Sequence, residues 1–227
     1  MKQTIISPIA TIHNDFKEKF GIPRQSGRAP SVISRVIFMP EFRSLDAIRG
    51  IEGFSHLWLI FDFSQSHRNS FSPLVRPPRL GGNQKVGVFA SRSPFRPNSL
   101  GLSSVKLLSI EHTEDGPTLI VSGADLLDGT PIFDIKPYLP FTDCHTDAVG
   151  GFADDNIDYK LNVQFINGTE HLIAEDKLNA LIECLSDDPR PSYQDDDRVY
   201  GLTFGSYNVI FKVEERTLSV IEIQPSV

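Results

Sequence analysis

Short hydrophobic segments separated by polar loops run through the first two-thirds of the chain. Seven segments rich in Val, Ile, Phe and Leu have the length of β-strands, and Pro- and Gly-containing loops separate them. The predicted strands span residues 4–13, 32–38, 56–63, 85–91, 102–112, 118–122 and 131–135. Leu45 and Ile48 lie three residues apart, which predicts one short helix over residues 41–48. Many strands with few helices favour a barrel or sandwich, because a parallel sheet needs a crossover helix between most strands.

The pattern changes after a polar segment at residues 143–158, which predicts a domain boundary between residues 1–145 and residues 146–227. Beyond it, apolar residues at i, i+3, i+4 and i+7 predict an amphipathic helix over residues 174–185. Strand-like segments at residues 159–166, 199–204, 207–213 and 217–223 complete a small α+β unit. The predicted fold is therefore mainly β, with a small C-terminal α+β domain.

The formal net charge of −7 argues at first against a nucleic-acid partner. However, residues 63–110 contain no Asp or Glu and seven Lys or Arg, so this stretch carries +7 while the remainder carries −14. A globally acidic protein binds a polyanion through one basic face, because salt screens repulsion beyond about 10 Å. The alternative is an ordinary basic surface patch balanced by an acidic one.

Several classes of protein lack support in this sequence. No run of about 18 apolar residues predicts a membrane span, and the first 13 residues do not resemble a signal peptide, so we expect a cytoplasmic protein. The glycine patterns of dinucleotide-binding and P-loop folds are absent. The six histidines are scattered without metal-ligand spacing, so no metal is expected.

Two loop-like segments carry more functional groups than folding requires. Residues 22–28 hold Gln25 and Ser26 between Pro and Gly, which is typical of a loop that binds a small molecule, or of a solvated connector. In residues 75–83, Arg76 and Arg79 flank two prolines and are expected on the same side of an extended backbone. This arrangement predicts phosphate binding, with a proline-rich recognition peptide as the alternative.

A third segment, residues 90–102, directly follows a predicted strand. It combines Arg92 and Arg96 with Phe95. Cationic groups beside an aromatic ring suit an unstacked nucleotide, which offers a charged backbone and a flat base. The alternative is a turn whose Phe95 fills the core.

A fourth segment, residues 126–140, begins with a predicted tight turn at Asp128 and Gly129. Asp134, Lys136 and Tyr138 then alternate with apolar residues, so in a strand they share one face. Three functional groups on one face predict part of a site, and a solvated strand face is the alternative.

Taken together, these segments resemble the tRNA threonylcarbamoyladenosine N6-methyltransferase family, the TsaA-like β-barrel proteins. The resemblance covers residues 5–145 and is carried by residues 16–25, 53–58, 75–82, 87–90, 92–101 and 128–140. Residues 188–191 with Tyr193 resemble the small appended domain of bacterial members. Ser26 and Ser99 depart from the family pattern, because relatives commonly have Pro there, and residues 66–70 vary among relatives.

The resemblance implies a β-barrel that binds S-adenosylmethionine, often as a homodimer, and methylates N6 of threonylcarbamoyladenosine beside the anticodon of tRNA. Transferred to this sequence, the implied cofactor contacts are Gln25, Ser26, Gly27, Ser66, His67, Arg92, Leu102, Leu126, Leu127, Asp128 and Gly129.

Methyl transfer from a sulfonium is an in-line displacement that needs alignment and no metal. The urea-like acceptor nitrogen is a poor nucleophile until it loses its proton, so we expect a general base or polarising hydrogen bond from Asp134 or Tyr138. Arg76, Arg79 and Arg96 are expected to bind tRNA. The alternatives are a non-catalytic S-adenosylmethionine-binding barrel and a methyltransferase for a small urea- or amide-containing metabolite. A lipocalin-like carrier is disfavoured by the charged loops.

Overall fold

A computed structural model describes residues 4–77, 80, 84–190 and 198–226. In the first part of the chain these residues form the strands β1 Ala10–His13, β2 Ile33–Phe38, β3 His56–Asp62, β4 Leu74–Val75, β5 Val86–Gly87, β6 Leu100–Thr113, β7 Gly116–Ser122 and β8 Thr130–Pro137. The later part contains α1 Pro140–Asp143, β9 Asn162–Phe165, α2 Glu175–Ser186, β10 Tyr200–Phe204, β11 Tyr207–Glu214 and β12 Thr217–Pro225. None of the helices in the described ranges is both long and apolar enough to cross a bilayer.

Six strands close into an antiparallel barrel in the order β1-β2-β7-β6-β3-β8, and β8 pairs back with β1. Alternation along each strand sends every second side chain inward, as Leu57, Leu59 and Phe61 of β3 show, and these side chains are buried with Ile12 and Ile132. The structure confirms the barrel and removes the sandwich alternative.

Two predicted elements of this region are wrong. Residues 41–48 form no continuous helix but parts of two 3-10 turns, Pro40–Phe42 and Leu45–Ile48, and a third turn, Ile51–Gly53, follows. Ile48 is the only buried residue among these turns, so no apolar stripe stabilises a longer helix.

The predicted strand at residues 85–91 is only two residues long, because β5 pairs only with the short β4 and then ends. The amide of Val88 donates to the carbonyl of Pro73 at 2.9 Å, and the amide of Ser91 donates to the carbonyl of Val88 at 3.3 Å. These bonds form a 3-10 turn over Val88–Ala90 in which Val88 is buried and Phe89 is exposed.

The C-terminal part is a small α+β unit, as predicted. Its sheet has the order β10-β11-β12-β9, with β9 parallel to β12. Helix α2 contributes Leu181 and Leu185, both fully buried, to the core of this unit.

The connection between β1 and β2 belongs to both parts of the molecule. Phe16, Ala29 and Val32 are buried in the C-terminal core, and the Phe16 ring lies 6.1 Å from that of Phe204. The connection is therefore held between the barrel and the C-terminal sheet. The predicted division at residues 145 and 146 stays a prediction.

While the connection of residues 39–55 between β2 and β3 lies at one end of the barrel, three connections meet at the other end because of the antiparallel strand order. At this end β1, β3 and β7 finish while β2, β6 and β8 begin. We call it the loop end, formed by residues 14–32, the described residues of 63–99, and residues 123–129.

Candidate functional site

A contact between Gln25 and Arg92 joins two connections at the loop end. Gln25 lies between β1 and β2, and Arg92 lies 67 residues later between β5 and β6. The Arg92 Nη1 atom donates to Gln25 Oε1. A guanidinium and a primary amide are thus in contact, and their other N–H donors and the second lone pair of the amide oxygen can bind a ligand.

Gly27 lies directly against the β7–β8 connection. Its amide donates to the carbonyl of Gly123 at 2.8 Å. Both glycines have positive φ, 78° and 75°, which favours residues without a Cβ. A Cβ on Gly123 would also lie 3.3 Å from the Gly27 backbone, so the close approach depends on glycine.

Asp125 is a carboxyl group in this region that the sequence analysis missed. It lies two residues beyond Gly123, and Ser103 Oγ donates to its Oδ1 at 2.6 Å. Burial raises the pKa of Asp125, although the Ser103 hydrogen bond, the Arg92 charge and a backbone bond from Ser26 oppose the shift. No local pattern in the sequence indicates that Asp125 faces Ser103 and Arg92, because all these contacts are long-range.

The remainder of the β7–β8 connection contacts the residues that follow β1. The carbonyl of Leu126 accepts from Asn14 Nδ2 at 2.9 Å, and the amide of Asp128 donates to the carbonyl of Phe16 at 2.8 Å. Gly129 donates from its amide to the carbonyl of Ile12, and Leu127 lies partly buried between these contacts. Residues 126–129 are thus fixed mainly through their backbone.

The carboxylate of Asp128 pairs with two basic residues, one in β1 and one just beyond it. Its oxygens lie 2.8 Å from Lys17 Nζ and 3.2 Å from His13 Nδ1. Burial alone would raise the pKa of Asp128, but hydrogen bonds from Lys17 and the Asn14 amide, with the Lys17 and His13 charges, lower it. Asp128 therefore has a structural role in holding the connection, whatever ligand it contacts.

The remaining three predicted cofactor contacts also lie at the loop end or beside it. Ser66 is buried, and its Oγ accepts from Lys19 Nζ at 3.0 Å. His67 Nε2 lies 2.7 Å from the Asp62 carboxylate at the end of β3. Leu102, near the start of β6, points outward beside Ile60 and is 55% exposed.

Asp134 and Tyr138 do not join this group within one chain. Both lie on the outer face of β8 and just beyond it, where Asp134 pairs with Lys136 at 2.8 Å and the Tyr138 ring contacts Trp58. Tyr138 lies eight residues beyond Thr130, on the order of 25 Å of extended strand from the loop end. Partial desolvation, with Cys144 and Asp143 nearby, raises the pKa of Tyr138, so its hydroxyl stays protonated at neutral pH.

The three arginines predicted to bind tRNA differ in their surroundings. Arg76 is exposed, directly after β4. Arg96 Nη1 donates to the carbonyls of Val88 and Ser91 at 3.1 and 2.7 Å, so it also holds the turn between β5 and β6. Arg79 lies outside the described residues.

The loop end can bind a polar small molecule. A guanidinium, a side-chain amide, a partly buried carboxyl group and glycine backbone atoms come together there. Such groups match the amino, carboxyl and hydroxyl groups of an amino acid or nucleoside. Fold and site define a two-part β-barrel protein whose candidate ligand site is built from loops at one barrel end.

Comparison with known proteins identifies the family. A model of the tRNA-methyltransferase O N-terminal domain matches residues 11–144, and a model of the TrmO C-terminal domain matches residues 158–226. The chain belongs to the tRNA-methyltransferase O family.

Individual relatives agree over most of the chain. The "tRNA (adenine(37)-N6)-methyltransferase" of Escherichia coli K12 is 38% identical over 226 residues, covering 96% of each protein. The "Putative S-adenosylmethionine-dependent methyltransferase RcsF" of Pseudomonas aeruginosa PAO1 is 41% identical over 212 residues, covering 90% of each. A crystal structure of TrmO from Pseudomonas aeruginosa superposes with a TM-score of 0.81 at 32% identity, covering 100% of this chain and 99% of that one.

Proposed function

We propose that this protein transfers the methyl group of S-adenosylmethionine to N6 of threonylcarbamoyladenosine beside the anticodon of tRNA. The observation that carries the proposal is the meeting of three connections at the loop end in a member of the tRNA-methyltransferase O family. The E. coli relative, similar over 96% of this chain, is named for methylation of N6 of adenine 37 in tRNA.

The residues at the loop end fit the proposed cofactor. Gln25, Ser26, Gly27 and Arg92, with the backbone of residues 126–129, would hold its polar groups, and Ser66, His67 and Leu102 would complete the contacts. When bound, S-adenosylmethionine supplies a methyl group on a positively charged sulfur. Because the connections are fixed by long-range hydrogen bonds, the chain contributes mainly orientation of donor and acceptor.

The surface around the loop end supports RNA as the second substrate. Residues 63–99 form the longest of the three connections and contain no Asp or Glu. Arg76 is exposed and available to a phosphate, and Arg79 is proposed for the same role from the sequence. Arg96 already donates to two backbone carbonyls, so we propose that it both stabilises the turn between β5 and β6 and binds tRNA.

The proton of the acceptor nitrogen needs a destination, and Asp134 and Tyr138 stay the predicted pair. Because Tyr138 is protonated at neutral pH, we assign it a polarising hydrogen bond and assign the base to Asp134. Because both residues lie far from the loop end of their own chain, we propose that they act at the loop end of a second copy.

A homodimer supplies that second copy. Ile60, Leu100 and Leu102 are neighbours on the outer face of β3 and β6, and the two leucines are 40% and 55% exposed. An apolar patch beside Asp134 on the same barrel wall suits a symmetric interface.

Light scattering tests this interface. Leu100→Lys is expected to yield monomers, whereas Leu45→Lys, at an exposed leucine of a 3-10 turn, is expected to leave the dimer intact. A monomeric wild type would exclude the dimer.

A purified-component assay tests the reaction itself. The protein, methyl-labelled S-adenosylmethionine and tRNA are combined, with the tRNA either carrying or lacking the threonylcarbamoyl group. Label on the modified tRNA only is the expected result. Cofactor binding by calorimetry without label transfer would identify a non-catalytic binding barrel, and transfer to small ureas or amides alone would identify a metabolite methyltransferase. We expect the reaction in the cytoplasm, where tRNA is found.

Mixed dimers test the assignment across copies. Arg92→Ala is expected to disable the loop end, and Asp134→Asn the base. Each variant alone should be inactive, while a mixture that exchanges subunits should regain up to about a quarter of wild-type activity through one intact combined site. Full activity of Asp134→Asn and Tyr138→Phe would remove both residues from the mechanism.

A further inference from the structure

Two phenylalanine rings lie exposed side by side in the connection between β3 and β6. Phe71 is 58% exposed and Phe89 is 74% exposed. Their ring centroids are 6.4 Å apart and their planes differ by 25°. Burying an aromatic ring stabilises a folded domain, so two neighbouring rings that stay exposed indicate a surface that binds a partner.

Phe95, the aromatic residue singled out from the sequence, does not offer a free ring. The Arg68 guanidinium carbon lies 3.5 Å from its ring centroid, and the ring is partly buried. The aromatic surface of this region is therefore formed by Phe71 and Phe89.

The backbone holds Phe89 outward. Val88 is buried beneath the 3-10 turn, and its amide bonds to Pro73, two residues beyond Phe71. Arg96 bonds the carbonyls of Val88 and Ser91, which fixes the turn. The ring pair is thus organised before any partner binds, which lowers the entropic cost of binding.

The charges around the rings select the chemistry of the partner. The Arg96 guanidinium carbon lies 5.8 Å from the Phe89 ring centroid, and exposed Arg76 follows β4 close by in the chain. No acidic residue occurs anywhere in residues 63–110. A flat apolar surface with cations and no acids complements a polyanion that carries flat rings, which is an unpaired stretch of nucleic acid.

We propose that Phe71 and Phe89 form a stacking platform for an unpaired base of the substrate RNA, with Arg96 beside the adjoining phosphate. This inference rests on the proposed function for the identity of the RNA. It adds a base-binding surface apart from the Gln25–Arg92 contact, and it accounts for the exposure of both rings.

Binding of unmodified and modified tRNA to the full-length protein tests the platform. Phe71→Ala and Phe89→Ala are each expected to weaken binding roughly 5- to 150-fold, the range of losing one stacked base. Phe89→Trp should retain binding. The slope of log affinity against log salt should not change, because no phosphate contact is lost. Leu45→Ala, at an exposed leucine away from the loop end, is the matched control and should bind as wild type.

Further measurements distinguish the outcomes. Calorimetric affinity for S-adenosylmethionine should be unchanged in both phenylalanine variants, and circular dichroism should show wild-type melting. Unchanged tRNA affinity overturns the platform, and so does conversion of the variants to monomers or selective loss of binding to anionic vesicles. If the wild type binds tRNA through these rings but transfers no methyl group, the proposed function fails while the platform stands.

Discussion

The guanidinium of Arg28 donates a hydrogen bond to Asp187 Oδ1 at 2.6 Å, which ties the residue after Gly27 to the residue that follows α2. Arg28 Nη1 also donates to the carbonyl of Ile157 at 2.7 Å. Close by, the amide and hydroxyl of Ser31 donate to the two oxygens of Glu183 at 2.7 and 2.8 Å. The C-terminal unit therefore supports the loop that carries Gln25, Ser26 and Gly27 directly.

Replacing Arg28 with Ala should destabilise the protein strongly. The Asp187 side chain is only 4% exposed, and its Oδ2 atom has no hydrogen-bond partner among the described residues. Removing its guanidinium partner leaves a buried charge, with only the more distant Lys160 at 3.5 Å, so we expect a loss of about 3–5 kcal/mol in the free energy of unfolding. Urea denaturation measures this loss.

Two variants separate the buried charge from general damage. Adding Asp187→Asn to Arg28→Ala should recover part of the loss, because no charge then remains buried. Arg49→Ala breaks an exposed pair with Asp46 and should change stability by no more than about 0.5 kcal/mol. Equal effects of Arg28→Ala and Arg49→Ala would contradict the proposed support of the loop.

The barrel was predictable because apolar segments of strand length, separated by Pro- and Gly-containing loops, are a local property of the sequence. Residues 56–63, for example, contain five consecutive apolar residues at 57–61 and form β3, which spans His56–Asp62. Residues 85–91 also contain strand-favouring Val and Phe, but only Val88 is buried, so local apolar composition predicted a longer strand than the structure forms. Asp125 and the Arg28–Asp187 pair were not predictable, because the contacts that give them meaning join residues 22 and 159 positions apart. The family resemblance indicated Gln25 and Arg92 as ligand contacts, but the pattern of residues along the chain did not predict that these two side chains lie together.

Gly123 should be less tolerant of Ala than Gly50, which also has a positive φ. The left-handed backbone costs a residue with a Cβ about 1–2 kcal/mol. At Gly123, φ of 75°, a Cβ also lies 3.3 Å from the Gly27 backbone, whereas at Gly50, φ of 86°, it meets nothing within 4 Å. We expect Gly123→Ala to displace Gly27 and weaken S-adenosylmethionine binding at least about tenfold, equivalent to about 1.4 kcal/mol, in calorimetry.

Gly50→Ala is the control for this experiment, since it lies before β3 at the opposite end of the barrel. It should lose a similar amount of stability from backbone strain while binding the cofactor as wild type. The same affinity in both variants would show that the Gly27–Gly123 contact does not position the cofactor loop.

Asp125 should make stability depend on pH in a defined direction. Its folded-state pKa is raised above the ordinary value of 3.8, mainly by burial, so the folded protein binds the proton more tightly than the unfolded chain. Its contribution is therefore most favourable below pH 3.8 and declines as pH rises through the folded-state pKa. Asp125→Asn abolishes this decline, so its stability relative to wild type should increase with pH above 3.8 in urea denaturation. Asp147→Asn, at an exposed residue, should follow wild type at every pH, and a pH-independent difference for Asp125→Asn would refute the assignment.

Asp128 should give the opposite dependence, and Lys17 is the residue through which to test it. The folded-state pKa of Asp128 is lowered below 3.8, so its contribution is present above pH 3.8 and is lost as pH falls through the folded-state pKa. Lys17→Met removes both a 2.8 Å hydrogen bond and a charge from the carboxylate, which raises this pKa. We expect the midpoint of acid unfolding, followed by circular dichroism, to move to higher pH.

The control must account for net charge. Losing any lysine reduces the positive charge of the acidified protein, which moves the midpoint to lower pH. Lys212→Met, in an exposed pair with Glu214, is therefore the matched control. An upward shift in Lys17→Met alone identifies Asp128 as the group responsible, whereas equal midpoints in the two variants mean that its ion pair does not hold the β7–β8 connection.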